Sequence, residues 1–228
     1  MSKFPPEAIK KAVGYAAAEF VQSGMIVGLG TGSTAAFFIE RLIQRCKEGL
    51  SVRAVSSSIA SASLAQRGGI PLIDIESITH IDLTVDGADE IDPQKRMIKG
   101  GGGAFVREKI VANMSHEMIV IIDESKLVPH LGTRRLPVEI LPFAHTATAH
   151  HLQKIGYTGK WRTKGDGSLY VTDNQNFIFD IQLAQPCLTP EKEHETLIRV
   201  PGVVDTGFFF NLAGRVVVGF PDGQLIIQ

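Results

Sequence analysis

The fold class follows from one stretch of the chain, Met25-Ile26-Val27-Gly28-Leu29-Gly30-Thr31-Gly32-Ser33-Thr34. It opens with a short apolar run, which is typical of a buried strand, and continues directly into a segment rich in glycine. Beyond it, apolar side chains recur at the spacing of an amphipathic helix, namely Ala35, Phe38, Ile39, Leu42 and Ile43. The stretch therefore predicts a strand, a glycine turn and a helix.

The same alternation continues after this stretch. Residues 52–55 predict a strand, residues 58–66 predict a helix that ends before two glycines, and residues 70–73 predict another strand. Strands that alternate with helices form mostly parallel sheets with both faces covered. The sequence therefore predicts an α/β fold, with a mostly parallel sheet flanked by helices.

Two further strands are predicted before the middle of the chain. Residues 81–85 alternate strictly between apolar and polar, which favours a place near a sheet edge, and they run into an acidic turn at residues 86–90. Residues 119–122 are wholly apolar, which predicts a buried strand. Between these strands, a run of glycines precedes a helix that carries Glu108 in its early part.

The texture of the sequence changes after Gly132. Helices and short strands are then predicted at residues 138–141, 146–155, 169–171, 177–183 and 189–198. This mixture predicts a second, smaller α+β domain over residues 133–205, acting as a lid or an oligomer interface. The α/β catalytic domain then comprises residues 1–132 and 206–228. The last strands, at 203–210 and 216–220, are expected to return the chain to the main sheet.

Composition limits the classes of function. The 228 residues include 23 basic and 24 acidic side chains, so no global field draws the protein to nucleic acid or to an anionic membrane. The apolar runs are far shorter than the roughly 20 residues that a membrane-spanning helix needs. Two distant cysteines, Cys46 and Cys187, and a first segment without a signal-like apolar core predict a reduced, cytoplasmic protein.

The loop from Gly30 to Thr34 is a candidate anion site. It lies between a buried strand and a helix start, where backbone N–H groups are unpaired and the helix dipole is positive. Thr31, Ser33 and Thr34 add hydroxyl donors for a phosphate or sugar oxygen. The spacing matches neither a P-loop nor a dinucleotide fingerprint. The alternative is a tight turn in which Ser33 or Thr34 caps the helix.

Two acidic residues and a second glycine loop extend this candidate site. Asp86 and Asp89 follow a predicted strand, where open α/β sheets bind their ligands. They are suited to bind the hydroxyls of a polyol, or a metal with outside help; the alternative is a solvated acidic turn. Lys99 and the glycines that follow it, from Gly100 to Gly103, place a cation and free N–H groups ahead of a helix.

Other charged residues have two readings each. Glu108 is a candidate base because it follows the glycine loop, and its alternative is a helix-surface charge beside Arg107 and Lys109. Lys126 is a strand-end charge or a surface lysine. The seven histidines form no HExxH pattern, so the sequence predicts no metal site.

Several segments together form a specific set, although each alone is common. They are Gly28-Leu29-Gly30-Thr31-Gly32-Ser33-Thr34, Val55-Ser56-Ser57-Ser58, Val85-Asp86-Gly87-Ala88-Asp89-Glu90, Ile98-Lys99-Gly100-Gly101-Gly102 and Arg107-Glu108-Lys109. Later segments continue the set: Leu136-Pro137-Val138-Glu139, Val171-Thr172-Asp173-Asn174, Pro201-Gly202-Val203-Val204 and Pro221-Asp222-Gly223. Over nearly the whole chain they resemble the type A ribose-5-phosphate isomerase family.

The resemblance implies an aldose–ketose isomerase of the pentose phosphate pathway, working without metal or other cofactor as a homodimer or homotetramer. It implies a small-molecule sugar phosphate as partner, and Glu108 as the catalytic base. The implied substrate-binding residues are Thr31, Gly32, Ser33, Thr34, Asp86, Gly87, Ala88, Asp89, Lys99, Gly100, Gly101, Gly102, Lys126 and Lys10. The glycine run departs from the family at Gly103, where the family pattern has alanine. We expect this to change loop flexibility rather than chemistry.

The implied reaction begins with the open-chain aldehyde of ribose 5-phosphate. Glu108 removes the proton at C2 and returns it to C1 through an enediolate, while Lys99 or loop N–H groups stabilise the charge on O1. Asp86 and Asp89 orient hydroxyls, and they are candidates for moving the proton between O1 and O2. Two rival functions remain: a non-catalytic sugar-phosphate sensor, and an acyl-CoA transferase-like enzyme with Glu108 as nucleophile.

Overall fold

The computed structural model describes residues 4–184 and 186–228. In chain order the helices are α1 (Pro6–Ala18), α2 (Ser33–Lys47), α3 (Ile59–Arg67), α4 (Phe105–Asn113), α5 (His145–Lys154) and α6 (Pro190–Ile198). The strands are β1 (Ile26–Leu29), β2 (Arg53–Ser56), β3 (Ile81–Asp86), β4 (Glu90–Ile91), β5 (Met97–Ile98), β6 (Ser115–Asp123), β7 (Leu136–Ile140), β8 (Thr158–Trp161), β9 (Phe177–Gln182), β10 (Val203–Thr206), β11 (Phe208–Phe209), β12 (Ala213–Gly219) and β13 (Leu225–Ile227). No helix in the described residues is long and apolar enough to cross a membrane.

The chain forms two compact units. The first consists of Met1–Ala88, Arg107–Lys126 and Leu212–Gln228, and the second of Asp89–Val106 and Leu127–Asn211. These limits differ from the predicted domains of residues 1–132 with 206–228 and 133–205, because residues 89–106 pack within the second unit. Fully buried Glu90 is one reason: its carboxylate accepts the N–H of Gly132 at 2.7 Å and also bonds Thr133 and Arg134.

The first unit contains a six-stranded sheet in the order β13-β12-β6-β3-β1-β2. All neighbouring strands are parallel except β12 and β13, which confirms the predicted fold class. The expectation that β3 lies near an edge is wrong, since it pairs with β1 and β6. The polar residues of β3 are compatible with a central position. Thr84 is buried but shares a 2.6 Å hydrogen bond with Ser115, and Asp82 is half-exposed at the beginning of the strand.

The main core of the first unit joins α1 and α2 to the sheet. Val13, Phe38 and Leu42 from the helices are fully buried with strand residues such as Val27 and Ile119. Phe38 and Leu42 belong to the helical pattern that was predicted after the glycine turn. The predicted strand at residues 70–73 is reduced to a single bridge between Leu72 and Ala54. Pro71 limits it, because proline has no N–H to donate to a ladder.

The second unit is α+β, with two antiparallel sheets. One has the order β10-β7-β9-β8 and the other the order β11-β5-β4. The expectation that residues 203–210 return to the main sheet is wrong, because β10 pairs with β7 and β11 pairs with β5. The predicted strand at 169–171 consists of isolated bridges at Leu169 and Val171. The half-exposed strand β8 was not predicted.

Candidate active site

The glycine turn after β1 is tied to the end of β3 within the first unit. The N–H of Gly30 donates to the carbonyl of Val85 at 3.0 Å. Asp86, only 1% exposed, accepts the N–H groups of Thr31 and Gly87 on Oδ1 at 3.0 and 2.8 Å. The backbone thus fixes the Asp86 carboxylate at the carboxyl edge of the parallel sheet, where such sheets bind ligands.

Two glycines are required by this arrangement. A Cβ added to Gly30 would lie 2.3 Å from the carboxyl carbon of Asp86, so no side chain fits there. Gly32 has φ +100°, a conformation that favours glycine, and it caps α2 without a side-chain hydrogen bond. The alternative that Ser33 or Thr34 is the cap is therefore wrong, because both lie inside the helix.

The amino end of α2 has the features of an anion site. Its first turn carries Ser33 and Thr34, and the first helical hydrogen bond runs from Ala36 to the carbonyl of Gly32. The N–H groups before Ala36 and the positive end of the helix dipole therefore face the same place. Lys10, on α1, donates from Nζ to the hydroxyl of Ser33 at 2.9 Å. The structure thus brings the predicted N-terminal lysine to the predicted hydroxyl loop.

A neighbouring serine, to which the sequence assigned no role, supports this loop. Ser57 donates from its hydroxyl to the carbonyl of Leu29 at 3.0 Å and lies 2.9 Å from the hydroxyl of Thr31. Ser57 is 1% exposed, so its hydrogen bond with Thr31 orients the Thr31 hydroxyl from the buried side of the loop. The Val55-Ser56-Ser57-Ser58 segment was part of the family resemblance, but only the hydrogen bonds to Leu29 and Thr31, which are distant in sequence, show what Ser57 does.

Glu108 lies in the first turn of α4 and is 4% exposed. Helix α4 ends at Asn113, just before β6 begins, so it runs antiparallel to the strands and its first turn lies toward their carboxyl ends. Val111, one turn after Glu108, lies against Gly28 of β1, where an added Cβ would meet its side chain at 2.8 Å. Glu108 is therefore buried in the first unit at the edge where Thr31 and Asp86 lie.

Lys126 lies at the end of a short 3-10 helix, Glu124–Lys126, that follows β6. It is half-exposed, and its side chain makes no hydrogen bond or ion pair with another described residue. The structure therefore places this predicted residue after the carboxyl end of β6, without a hydrogen bond from its side chain to the described residues of the glycine turn.

The second unit holds the other predicted loop. Lys99 is 3% exposed, its N–H donates to the carbonyl of Gly207 at 2.9 Å, and its Nζ lies 5.4 Å from the centre of the Phe209 ring. Asp89 accepts the N–H of Gly101 on Oδ2 at 2.7 Å. This hydrogen bond thus joins Asp89 of the acidic turn to the glycine loop, although the two segments are separate in sequence.

Two side chains that sequence reasoning missed hold this glycine loop. Arg162 donates to the carbonyls of Gly100 and Gly101 at 2.7 and 3.2 Å, and Tyr170 donates to the carbonyl of Gly102 at 3.2 Å. Arg162 is itself fixed by a bidentate ion pair with Asp180. Neither residue lies in a recognisable motif, so only the fold could have identified them.

Gly103→Ala is expected to destabilise the protein by about 1–3 kcal/mol, because Gly103 has φ +81° and an added Cβ would lie 2.5 Å from the Tyr170 hydroxyl. Urea unfolding measures this loss. Gly165→Ala is the matched control, since Gly165 has open space around its Cβ position. Equal stability of the two variants would show that the loop does not constrain residue 103.

Comparison with known proteins identifies relatives of this chain. A family model described as ribose 5-phosphate isomerase A (phosphoriboisomerase A) matches residues 53–223. Ribose-5-phosphate isomerase A of Protochlamydia amoebophila (strain UWE25) is 52% identical over 215 residues, covering 94% of this chain and 93% of that protein. The structure of ribose 5-phosphate isomerase from Plasmodium falciparum matches with a TM-score of 0.93 at 39% identity, covering 97% of this chain and 98% of that one.

A further solved structure carries a bound compound. It is a D-ribose-5-phosphate isomerase in complex with phospho-erythronic acid, with a TM-score of 0.93 and 34% identity, covering 99% of both chains. The fold and the glycine turn define an α/β protein with a candidate ligand site at the carboxyl edge of its parallel sheet. The chain belongs to the ribose 5-phosphate isomerase A family. This confirms the resemblance found in the sequence.

Proposed function

We propose that this protein interconverts D-ribose 5-phosphate and D-ribulose 5-phosphate through an enediolate, in the non-oxidative pentose phosphate pathway. The observation that carries the proposal is buried Glu108 at the carboxyl edge of the sheet, in a chain of the ribose 5-phosphate isomerase A family. A fixed carboxylate is the group that an aldose–ketose isomerisation requires, since one proton moves between adjacent carbons.

The phosphate of the substrate binds at the start of α2. Its oxygens accept hydrogen bonds from the backbone N–H groups at residues 32–34 and from the hydroxyls of Thr31, Ser33 and Thr34. Lys10 supplies the positive charge, since its ammonium group already contacts Ser33 at 2.9 Å. The helix dipole adds to this attraction. Lys126 completes the set of cations in our proposal.

Glu108 performs the chemistry on the open-chain sugar. Its carboxylate takes the proton from C2 as the C1 carbonyl becomes an enediolate oxygen, and the protonated carboxyl then returns the proton to C1. Because C1 and C2 are adjacent, a small movement of one carboxyl group reaches both carbons. Arg107 and Lys109 are expected to point away from the substrate, which leaves this carboxyl group to act as a base.

Asp86, in the first unit, has a second proposed role. Asp86 binds substrate hydroxyls and moves the proton between O1 and O2, with its carboxylate held by two backbone N–H groups. Gly87, Ala88 and Asp89 bind the same hydroxyls. Lys99, with the N–H groups of Gly100, Gly101 and Gly102, stabilises the negative charge that develops on O1.

Turnover in excess EDTA tests the function and the absence of a metal requirement together. The purified protein is expected to convert ribose 5-phosphate into ribulose 5-phosphate, and phospho-erythronic acid is expected to compete, because its carboxylate carries a negative charge near the place of the enediolate. Loss of activity in EDTA would contradict metal independence. Binding of ribose 5-phosphate without turnover would favour the sensor, and covalent labelling of Glu108 by an acyl-CoA would favour a transferase.

Lys10→Met is expected to raise KM for ribose 5-phosphate about tenfold with little change in kcat, because the phosphate is bound equally in the ground and transition states. Steady-state kinetics at low and high salt measure the effect, which should shrink as salt screens the charge. Lys11→Met is the control, since exposed Lys11 lies beside Lys10 and contacts Tyr15 instead. A tenfold loss in kcat with unchanged KM would contradict this phosphate site.

Assembly and location are part of the same proposal. We assign the protein to the cytoplasm, as a homodimer or homotetramer. Residues 133–205, most of the second unit, serve as a lid or as the surface through which copies associate. Exposed Phe143 and Leu141, 88% and 46% accessible, lie in this part of the chain. Light scattering after size-exclusion chromatography distinguishes dimer from tetramer and would reject both if only a monomer eluted.

A further inference from the structure

Three potential metal ligands meet at the opposite, amino-terminal edge of the main sheet. They are His80, Asp82 and His116, and their ligand atoms all lie within 4.8 Å of one another. His80 directly precedes β3, and Asp82 is the second residue of that strand. Because Ile81 pairs with Ser115 and Leu83 with Glu117, parallel pairing places Asp82 beside His116 of β6. Strand pairing, not local spacing, creates the cluster, which is why the sequence showed no metal pattern.

The chemistry of the cluster fits a transition-metal ion. Two imidazoles and one carboxylate are a common ligand set for Zn²⁺, with further positions occupied by water in an open site. Zinc–ligand distances of about 2.0–2.2 Å bring the ligand atoms of a tetrahedral site to roughly 3.4 Å from each other. His80 and His116 are exposed, so rotation of their rings is sufficient to close the remaining gap.

The cluster is also partly organised in advance. Asp82 accepts the N–H of Ile26 on Oδ2 at 2.7 Å, which orients its carboxylate as outer hydrogen bonds orient metal ligands elsewhere. Asp82 forms no ion pair with a lysine or arginine in the part of the chain that the structure describes. The two imidazole rings lie 5.3 Å apart between centroids, so both are within reach of one ion.

We propose that His80, Asp82 and His116 bind one Zn²⁺ ion, which links β3 to β6 in the first unit and stabilises it. The ion takes no part in isomerisation. Asp82 and Asp86 are four residues apart on one extended strand, a separation of about 13 Å, and Asp86 lies at the edge where the substrate is proposed to bind. The proposed zinc site is thus a structural site at the surface, and it is independent of the proposed reaction.

Isothermal titration of the metal-free full-length protein with ZnCl2 at pH 7.5 tests the proposal. One ion is expected to bind per chain, and His116→Gln and His80→Gln are each expected to weaken binding at least tenfold. His130→Gln is the matched control, because His130 is an exposed histidine of the second unit and is not one of the three proposed ligands. In parallel, ZnCl2 at about 100 times its dissociation constant should raise the unfolding temperature of the wild type by about 5 °C, and MgCl2 should not.

Two results would overturn the proposal. The first is a wild-type protein that binds no zinc at about 100 µM, because binding weaker than this would be that of an unspecific surface site. The second is unchanged zinc affinity in both histidine variants, or a loss of zinc binding in Cys46→Ser, which would place the ion elsewhere. Circular dichroism of the variants confirms that they are folded, so loss of binding reports the ligands themselves.

Discussion

Glu108→Gln is expected to lower kcat for the isomerisation of ribose 5-phosphate by about 10²–10⁴-fold. Glutamine preserves the length and shape of the side chain, so the buried position in α4 is kept. An amide cannot accept the proton from C2, however, and the enediolate is then reached only through solvent. KM should change little, because the phosphate is bound by other residues. A direct assay of ribulose 5-phosphate measures the loss.

Isotope exchange makes this expectation more specific. In deuterated water, the wild type should introduce solvent deuterium at the carbon that receives the proton, and Glu108→Gln should lose exchange and turnover together. Glu40→Gln serves as the control, because exposed Glu40 on α2 offers the same substitution without a role in the proposed site. A Glu108→Gln variant with more than a tenth of wild-type activity would remove Glu108 from its role as base.

Lys99→Met is expected to lower kcat by about 10²–10³-fold, the range measured when a donor to a developing oxyanion is removed from an enzyme. Methionine keeps the unbranched shape of lysine and its packing against Phe209, so the buried position remains filled. What is lost is the positive charge, which matters when the enediolate oxygen becomes negative. The effect should therefore appear mainly in kcat.

Binding of a charged analogue separates this role from a structural one. Phospho-erythronic acid should bind the Lys99→Met variant much more weakly than the wild type, whereas the unfolding temperature should be nearly unchanged. Lys164→Met is the control, since exposed Lys164 lies in a turn of the second unit. If Lys99→Met raised KM alone and left kcat intact, Lys99 would be a substrate-binding residue without a part in stabilising the enediolate.

The sequence predicted those parts of the fold that depend on local pattern. The glycine turn between β1 and α2, the helical spacing of Phe38 and Leu42, and the α/β class are confirmed. What failed depends on partners distant in the chain. Residues 203–210 have strand composition, but nothing local says that they pair with β7 and β5 rather than with β6. Residues 89–106 join the second unit for the same reason.

The candidate site divides in the same way. Thr31 and Asp86 could be predicted, because glycines and charges at strand ends signal ligand sites, whereas Lys10 was implied only by the family resemblance. The structure brings Asp86 to Thr31 and Lys10 to Ser33. Arg162 and Tyr170 could not be predicted. Each acts through a hydrogen bond to the backbone carbonyl of a glycine, 62 residues away for Arg162 and 68 residues away for Tyr170. Every residue has a backbone carbonyl, so no sequence pattern marks the ones that accept these hydrogen bonds.

The uncapped start of α2 has a consequence for how this protein can be altered. A serine or aspartate at position 32 would ordinarily strengthen a helix, but its side chain would occupy the N–H groups that the phosphate is proposed to use, and φ +100° would strain it. In the proposed complex, the substrate phosphate takes the place of a capping side chain. Substitutions at this position that are chosen to stabilise the ligand-free protein are therefore expected to weaken binding of the sugar phosphate, because they compete for the same N–H groups.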